Sequence, residues 1–165
     1  KILTINKILL ELDLSNKFLH KFYLQIDDIL LKKYPKIQDD NLPYILELKN
    51  NRKLDYFSGG CTIGPHRSDI SGYSFNNSLN VNQLSTGQQK TVIILIIIAQ
   101  TKYLIDTLDL NPIILLDEIC SHLDNLNREL LLYLVDELSA QVFMTGTEES
   151  FFSFLSTKAN YCNIT

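Results

Sequence analysis

The stretch that decides the fold reads Leu84-Ser-Thr-Gly-Gln-Gln-Lys90 and leads directly into an apolar segment at residues 92–99. β-Branched residues crowd that segment, so local propensity favours a buried strand. Ser85, however, is a good helix N-cap, and Gln88 stands three residues later, at the position of a capping box. We give these two positions more weight than the propensity and predict a buried helix.

Two apolar runs further along the chain predict strands of a parallel sheet. Residues 113–116 are apolar and end in Asp117 and Glu118, and residues 142–144 form a second short run. A continuous apolar run with acids at its carboxyl end is typical of a central parallel strand, covered on both faces and opening on a ligand crevice. Between the runs, Asp124 is suited to cap a helix that carries leucines at positions 126, 130, 134 and 138. The order predicts a right-handed βαβ unit.

The first part of the chain has a different character. Residues 1–55 hold ten basic and eight acidic residues, whereas residues 56–165 hold five and eleven. Apolar residues at helical spacing from Leu19 to Leu30 predict an amphipathic helix that Pro35 ends, and a second helix is expected from about Pro43 to Asp55. After a glycine turn at 59–60, residues 61–64 are predicted to form a short strand.

Length and composition limit the classes of protein. The 165 residues suffice for one domain, or for a small domain with an appendage. A net charge of −4 excludes a nucleic-acid binder whose affinity comes from overall positive charge. Three cysteines without zinc spacing favour a reducing, cytosolic compartment. The longest apolar run has eight residues, far below the roughly 18 to 20 that span a bilayer, so no membrane partner is expected.

Two motifs carry chemistry if they meet around a nucleotide. A helix that begins after Ser-Thr-Gly offers unpaired backbone N–H groups, a hydroxyl and a close approach, which suit the γ-phosphate of a nucleoside triphosphate. The acids after the strand suit a metal and a reacting water, with Asp117 on Mg²⁺ and Glu118 as the base. Each motif alone also has an ordinary explanation, as a helix cap or as solvated acids at a strand end.

Taken in order, the motifs resemble the ABC-type ATPases. An L-S-x-G-Q signature, an apolar helix, a Walker B strand ending in Asp-Glu and an S-x-L-D D-loop follow one another. Within that superfamily, Gly64-Pro-His-Arg-Ser-Asp69 resembles the RecF family of bacterial DNA replication and repair proteins. This resemblance implies that residues 1–57 are the end of a helical arm (lobe II). Residues 58–165 would then be the C-terminal, signature-bearing half of an ATPase head with a parallel α/β core.

The resemblance also implies roles for individual residues. Glu118 would be catalytic and Asp117 would hold Mg²⁺. The nucleotide-binding residues would be Ser85, Thr86, Gly87, Gln88 and Asp124. Of these, Ser85 and Gly87 would touch the γ-phosphate of ATP bound to the opposite subunit. Gln88 would support that loop, and Asp124 would be the D-loop acid across the dimer interface. Thr145 and Thr147 lie where transporter-type relatives carry a switch histidine, and the choice between them as a γ-phosphate contact stays open. His66 and Arg67 either brace a turn or place positive charge near nucleotide or DNA.

The implied whole protein is an ATP-dependent DNA-binding protein of recombinational repair and replication restart. It would form a head-to-tail homodimer around two ATP molecules in the bacterial cytoplasm, associated with the nucleoid. It would act at gapped DNA, with single- and double-stranded parts, alongside RecR and RecO to load RecA. The sequence contains no G-x-x-x-x-G-K-[ST] loop, so the chain alone is not expected to bind ATP in the usual way. Two alternatives stay open: a non-catalytic remnant or interaction module, and half of another SMC-like or RecN-like head.

Overall fold

The computed structural model describes residues 1–12, 21–35, 41–75, 79–118, 120, 123–155 and 159–163. The chain forms two compact units, one comprising residues 1–23 and 74–165 and the other residues 24–73. The predicted boundary at residue 57 separates an arm from a head, which is a different division from these compact units. It stays a prediction.

The larger unit is built around helix α4 (Thr86–Leu108), which packs against α1 (Ile2–Glu11) and α5 (Asn125–Asp136). The buried helix predicted from the sequence is therefore confirmed. The Ser85 hydroxyl accepts a hydrogen bond from the Gln88 backbone N–H, and the Gln88 side chain accepts one from the Ser85 N–H at 3.1 Å. This capping box and the burial of the helix outweigh the β-propensity of its isoleucines.

α4 is also long and apolar enough to cross a bilayer by length and composition, with a mean hydropathy of 1.7 over 18 residues. The uninterrupted run counted in the sequence missed this property, because polar residues interrupt the helix after Ala99. Seven of its residues are buried within the unit. The core helix of a soluble domain meets the same length and composition criteria, so the property is weak support for a membrane span.

Strands β3 (Ile113–Leu116) and β4 (Gln141–Met144) pair in parallel, which confirms the predicted strand, helix and strand. In the part of the chain that the structure describes, one face of β3 is covered and the other is open. Ile114 and Leu116 are buried, but Ile113 and Leu115 are 62% and 75% exposed. A run of four apolar residues looks the same whether or not a neighbour covers its second face.

Asp124 caps helix α5, as predicted, and its carboxylate accepts a hydrogen bond from the Asn127 N–H at 2.8 Å. Of the four leucines noted in the sequence, Leu134 and Leu138 are buried and Leu126 is exposed. The buried residues of α5 are Asn127, Leu131, Leu132, Leu134 and Val135.

The amphipathic helix predicted around residues 19–30 is wrong. Phe22–Asp27 form strand β1, which pairs with β2 (Asp69–Ser74), and only Ile29–Lys33 are helical, as α2. Leu19 lies outside the described residues. Phe22 and Leu24 are buried on either side of a half-exposed Tyr23, so the apolar residues alternate with the period of a strand.

The second predicted helix is confirmed as α3 (Leu42–Ser58), with a proline in its first turn. Gly59 ends it in a left-handed conformation (φ +70°), which confirms the glycine turn. The strand predicted at residues 61–64 is wrong, because this segment forms bends that lead into a short 3₁₀ helix, Pro65–Arg67.

Candidate nucleotide site at the carboxyl end of the parallel strands

The acid pair lies where the parallel strands end. Asp117 and Glu118 follow β3 directly, and Thr145 follows β4. Leu116 stands opposite Met144 in the sheet, so the next residues of the two strands meet, and the Thr145 N–H donates to the Leu116 carbonyl at 3.0 Å. This register places the side chain of Thr145 beside the two acids.

The Thr145 hydroxyl connects both acids. It donates a hydrogen bond to Asp117 Oδ1 at 2.5 Å and accepts one from the Glu118 backbone N–H at 3.0 Å. Glu118 has a φ of +50°, in the left-handed region, which costs a residue with a side chain about 1 to 2 kcal/mol. The hydroxyl therefore contributes to holding the sharp turn that follows the strand.

The structure distinguishes the two threonines that the sequence left equivalent. Thr145 contacts the acid pair, whereas the hydrogen bonds described for that pair do not involve Thr147. Between them, Gly146 lies against Phe152: a Cβ there would be 2.7 Å from the ring, so the ring would have to shift. The register of two parallel strands was the signal that could have found Thr145.

The predicted signature residues surround the start of α4. Ser85 and Thr86 are exposed, while Gly87 and Gln88 are half-buried. The preceding loop is tied down by Gln89, whose side chain donates to the carbonyls of Asn82 and Leu84 at 3.0 Å each. The first N–H groups of a helix lack partners within it and carry its positive dipole end. That these groups of α4 bind an anion stays a prediction. These hydrogen bonds of Gln89 and those that join the acids to Thr145 share no residue.

Asp124 uses both carboxylate oxygens within its own chain. Oδ1 accepts from the backbone N–H of Asn127 and Oδ2 from its side-chain amide, at 2.8 and 2.9 Å. The residue is exposed, but its direct role in the structure is to cap α5. A D-loop role at a subunit interface stays a prediction.

The Gly-Pro-His-Arg motif forms a braced turn. His66 Nε2 donates to the Cys61 carbonyl at 3.0 Å, and its ring lies 3.2 Å from where a Cβ on Gly64 would be. Gly64 has a φ of +137°, which favours glycine. These contacts support bracing for His66, although both His66 and Arg67 are exposed.

Comparison with known proteins agrees with these motifs. No family model matches the chain. The DNA replication and repair protein RecF of Rhizobium johnstonii is 34% identical over 128 residues, which is 78% of this chain and 33% of that protein. RecF of Agrobacterium fabrum is 32% identical over 139 residues, 84% of this chain and 36% of that protein. The chain is a relative of RecF over most of its length.

A solved RecF structure supports the fold. A structure described as the recombination mediator protein RecF with ATPrS in the RecFOR pathway has a TM-score of 0.60 and 21% identity. It matches 90% of this chain, and the match covers 38% of the solved chain. The predicted α/β fold, with a parallel sheet and a helical segment, is confirmed. The chain spans about a third of the length of the RecF proteins it matches.

The acid pair of this RecF relative offers carboxylate oxygens to Mg²⁺. Among residues that the structure describes, no three His, Cys, Asp or Glu side chains cluster as a complete metal site. Mg²⁺ needs less, because it is often held by one or two carboxylates together with waters and phosphate oxygens. Asp117 offers an exposed carboxylate whose Oδ1 is fixed by Thr145, so the donors fit an ion held mainly by nucleotide and water.

Proposed function

We propose that this chain supplies the signature, Walker B and D-loop side of the ATP site in a RecF-type DNA replication and repair protein. The observation that carries the proposal is the joining of Asp117 and Glu118 through Thr145 at the carboxyl end of parallel strands. Open α/β sheets bind their ligands at this edge. The relationship to RecF supports ATP as the ligand, because the matching solved protein is described with ATPrS.

In this proposal each residue has a distinct task. Glu118 accepts a proton from, or polarises, the attacking water, and its backbone turn directs it away from the strand. Asp117 holds Mg²⁺, which when bound neutralises charge on the phosphates. Ser85 and Gly87 of the signature loop approach the γ-phosphate of ATP on the opposite subunit, where the helix N-terminus favours negative charge. Thr145 positions both acids.

The activity of the whole protein is part of the same proposal. We place the chain in an ATP-dependent, head-to-tail homodimer that acts at gapped DNA in the bacterial cytoplasm, with RecR and RecO as partners in loading RecA. The names of the relatives and of the RecFOR pathway support this assignment. The open apolar face of the sheet, with Leu115 and Phe143 exposed, supports a further part of the head that covers it.

The test supplies the missing half of the site. The chain is mixed with, or fused to, the P-loop half of a RecF relative, and ATP hydrolysis and ATP-dependent association are measured. Glu118→Gln should lower hydrolysis about 10² to 10⁴-fold while association persists, because the substitution removes the base but no contact to the phosphates. Glu129→Gln, on the exposed side of α5, is the control and should hydrolyse ATP normally. Hydrolysis by Glu118→Gln at the unmutated rate would refute the assignment.

A second pair of variants tests the positioning role of Thr145. Thr145→Val removes the hydroxyl with little change in volume and should lower kcat more than it raises KM, because the acids lose their shared partner. Thr145→Ser keeps the hydroxyl and should restore most of the rate. Equal rates for the valine and serine variants would show that the hydroxyl is dispensable.

A further inference from the structure

Helix α3 carries a surface that the nucleotide site does not use. We call Lys49, Arg52, Lys53, Tyr56 and Phe57 the basic-aromatic face. Arg52, Lys53 and Tyr56 follow Lys49 by three, four and seven residues, so these four residues share one side of the helix. All five are exposed, and α3 buries none of its 17 residues. The half-buried residues lie on the opposite side and comprise Pro43, Tyr44, Glu47, Leu48, Asn51 and Asp55.

The acids of α3 face away from this surface. Glu47 accepts hydrogen bonds from Lys33 Nζ at 2.8 Å and from the Tyr34 hydroxyl at 3.0 Å, and both bonds, the lysine first, lower the pKa of Glu47. Asp55 accepts from the N–H and the hydroxyl of Thr62, and these bonds lower its pKa. Both acids are thus engaged inside their own unit.

The three bases have no such partners. Within the described parts of the chain, the ion pairs are Lys7 with Glu11, Lys32 with Asp27 and Lys33 with Glu47, and none involves Lys49, Arg52 or Lys53. Three unpaired positive charges therefore lie along about 6 Å of helix, in a chain whose net charge is negative. These three charges can attract a polyanion to this face, although the overall charge of the chain does not.

The aromatic rings at the end of the same face narrow the choice of polyanion. Tyr56 and Phe57 are 82% and 83% exposed, with ring centroids 5.6 Å apart in an edge-on arrangement. Proteins that bind single strands combine a positively charged track for the phosphates with aromatic rings on which unpaired bases stack. A duplex hides its bases and would use the lysines and arginine but not the rings.

We propose that the basic-aromatic face of α3 binds single-stranded nucleic acid. Lys49, Arg52 and Lys53 contact successive phosphates, and Tyr56 and Phe57 stack on unpaired bases. This inference rests on the proposed function, because it assigns a surface of the chain to the single-stranded part of the gapped DNA. Its test contains neither ATP nor the P-loop half, so the two proposals can fail separately.

The experiment measures fluorescence anisotropy of a labelled 20-nucleotide oligo(dT) and of a duplex of equal length, with the chain as it is. At 50 mM salt the single strand should bind more tightly than the duplex. The logarithm of its affinity should fall with log[salt] with a slope of about −2, for three phosphate contacts at about −0.7 each. Failure of the unmodified chain to bind the single strand, or tighter binding of the duplex, would overturn the proposal.

Two sets of variants assign the binding to this face. Lys49→Gln with Arg52→Gln and Lys53→Gln should weaken binding at least tenfold and flatten the salt dependence. The control changes the same amount of charge elsewhere, with glutamine at Lys1, Lys7 and Lys102, and should bind normally. A control that loses as much affinity as the α3 variant would show that only overall charge matters, which contradicts the proposal.

The aromatic part is tested separately. Tyr56→Ala with Phe57→Ala should weaken single-strand binding by about tenfold or more, since stacking on each ring contributes about 1 to 3 kcal/mol. The salt slope and the duplex affinity should stay unchanged. Unchanged single-strand affinity in this variant would refute stacking and leave a surface that contacts phosphates alone. All five side chains are exposed, and circular dichroism checks that each variant is folded.

Discussion

α4 and α3 are two long helices in separate units, and they differ in what surrounds them. α4 buries seven of its 23 residues, whereas α3 buries none of its 17. α4 begins with a capping box at Ser85, while Asn41 at the start of α3 makes no side-chain cap bond. Packing therefore keeps the β-prone residues of α4 helical. α3 depends instead on local sequence signals, a proline in its first turn and Gly59 at its end. A helix that owes little to burial keeps an outer face available for a partner.

The largest expected contrast is between matched leucines. Leu95 in α4 is fully buried and Leu54 in α3 is 56% exposed. Leu95→Ala should cost about 2 to 5 kcal/mol of unfolding free energy because it leaves a cavity. Leu54→Ala should change it by no more than about 0.5 kcal/mol. Urea unfolding followed by circular dichroism, at concentrations where light scattering shows a monomer, measures both. Similar losses in the two variants would refute the contrast.

The helix starts should differ by less. Ser85→Ala removes the hydroxyl of a capping box and should cost about 1 kcal/mol. Asn41→Ala should cost clearly less, because no side-chain bond is lost. The same unfolding experiment compares them. A larger loss of unfolding free energy in Asn41→Ala than in Ser85→Ala would contradict this account of the two caps.

The helix ends offer a smaller test of opposite sign. Both helices end in a left-handed residue, Asp109 after α4 (φ +52°) and Gly59 after α3 (φ +70°). Gly59→Ala should destabilise by about 1 kcal/mol through its backbone alone, since a Cβ there meets nothing within 4 Å. Asp109→Gly should stabilise by about 0.5 kcal/mol by relieving the same conformation. Shifts of the same sign in both variants would contradict this account.

The smallest expected effect is a pH dependence confined to the smaller unit. Asp28 caps α2, and hydrogen bonds from the Ser68 hydroxyl and from the N–H groups of Leu31 and Leu30 hold its pKa below the ordinary 3.8. A lowered pKa contributes stability that is complete above the unfolded value and is lost as pH falls through the folded one. Amide exchange of Leu30 should accelerate in that acid range, and Asp28→Asn should remove the change. The Gln88 amide, capped by an uncharged serine, is the internal control.

The elements that the sequence predicted well have strong end signals. α4, α5 and α3 are marked by Ser85, by Asp124 and by Pro43 with Gly59. Strand β1 was missed because its apolar residues fit both helical spacing and alternation, and only pairing with β2 decides between the two. The four apolar residues of β3 do not themselves show which face is open, since cover comes from elements distant in sequence or outside the chain.

The candidate site was predictable in residue type but not in geometry. Motif order indicated Asp117 and Glu118, and chemistry suggested their roles. The joining hydroxyl of Thr145, the left-handed turn at Glu118 and the double use of Asp124 as a cap depend on strand register and helix start. These are tertiary facts, and no local pattern in the sequence distinguishes Thr145 from Thr147.

The contact between Gly146 and Phe152 limits how this site could change through successive mutations. Any side chain at position 146, including the histidine typical of transporter-type ATPases in this stretch, would meet the ring of Phe152 at 2.7 to 2.8 Å. A side chain at 146 would therefore require the ring of Phe152 to move or to be replaced by a smaller residue. Substitutions at the two positions are expected to be coupled, because the two residues share this contact. The effect of a side chain at this step beyond β4 thus depends on which residue stands at 152.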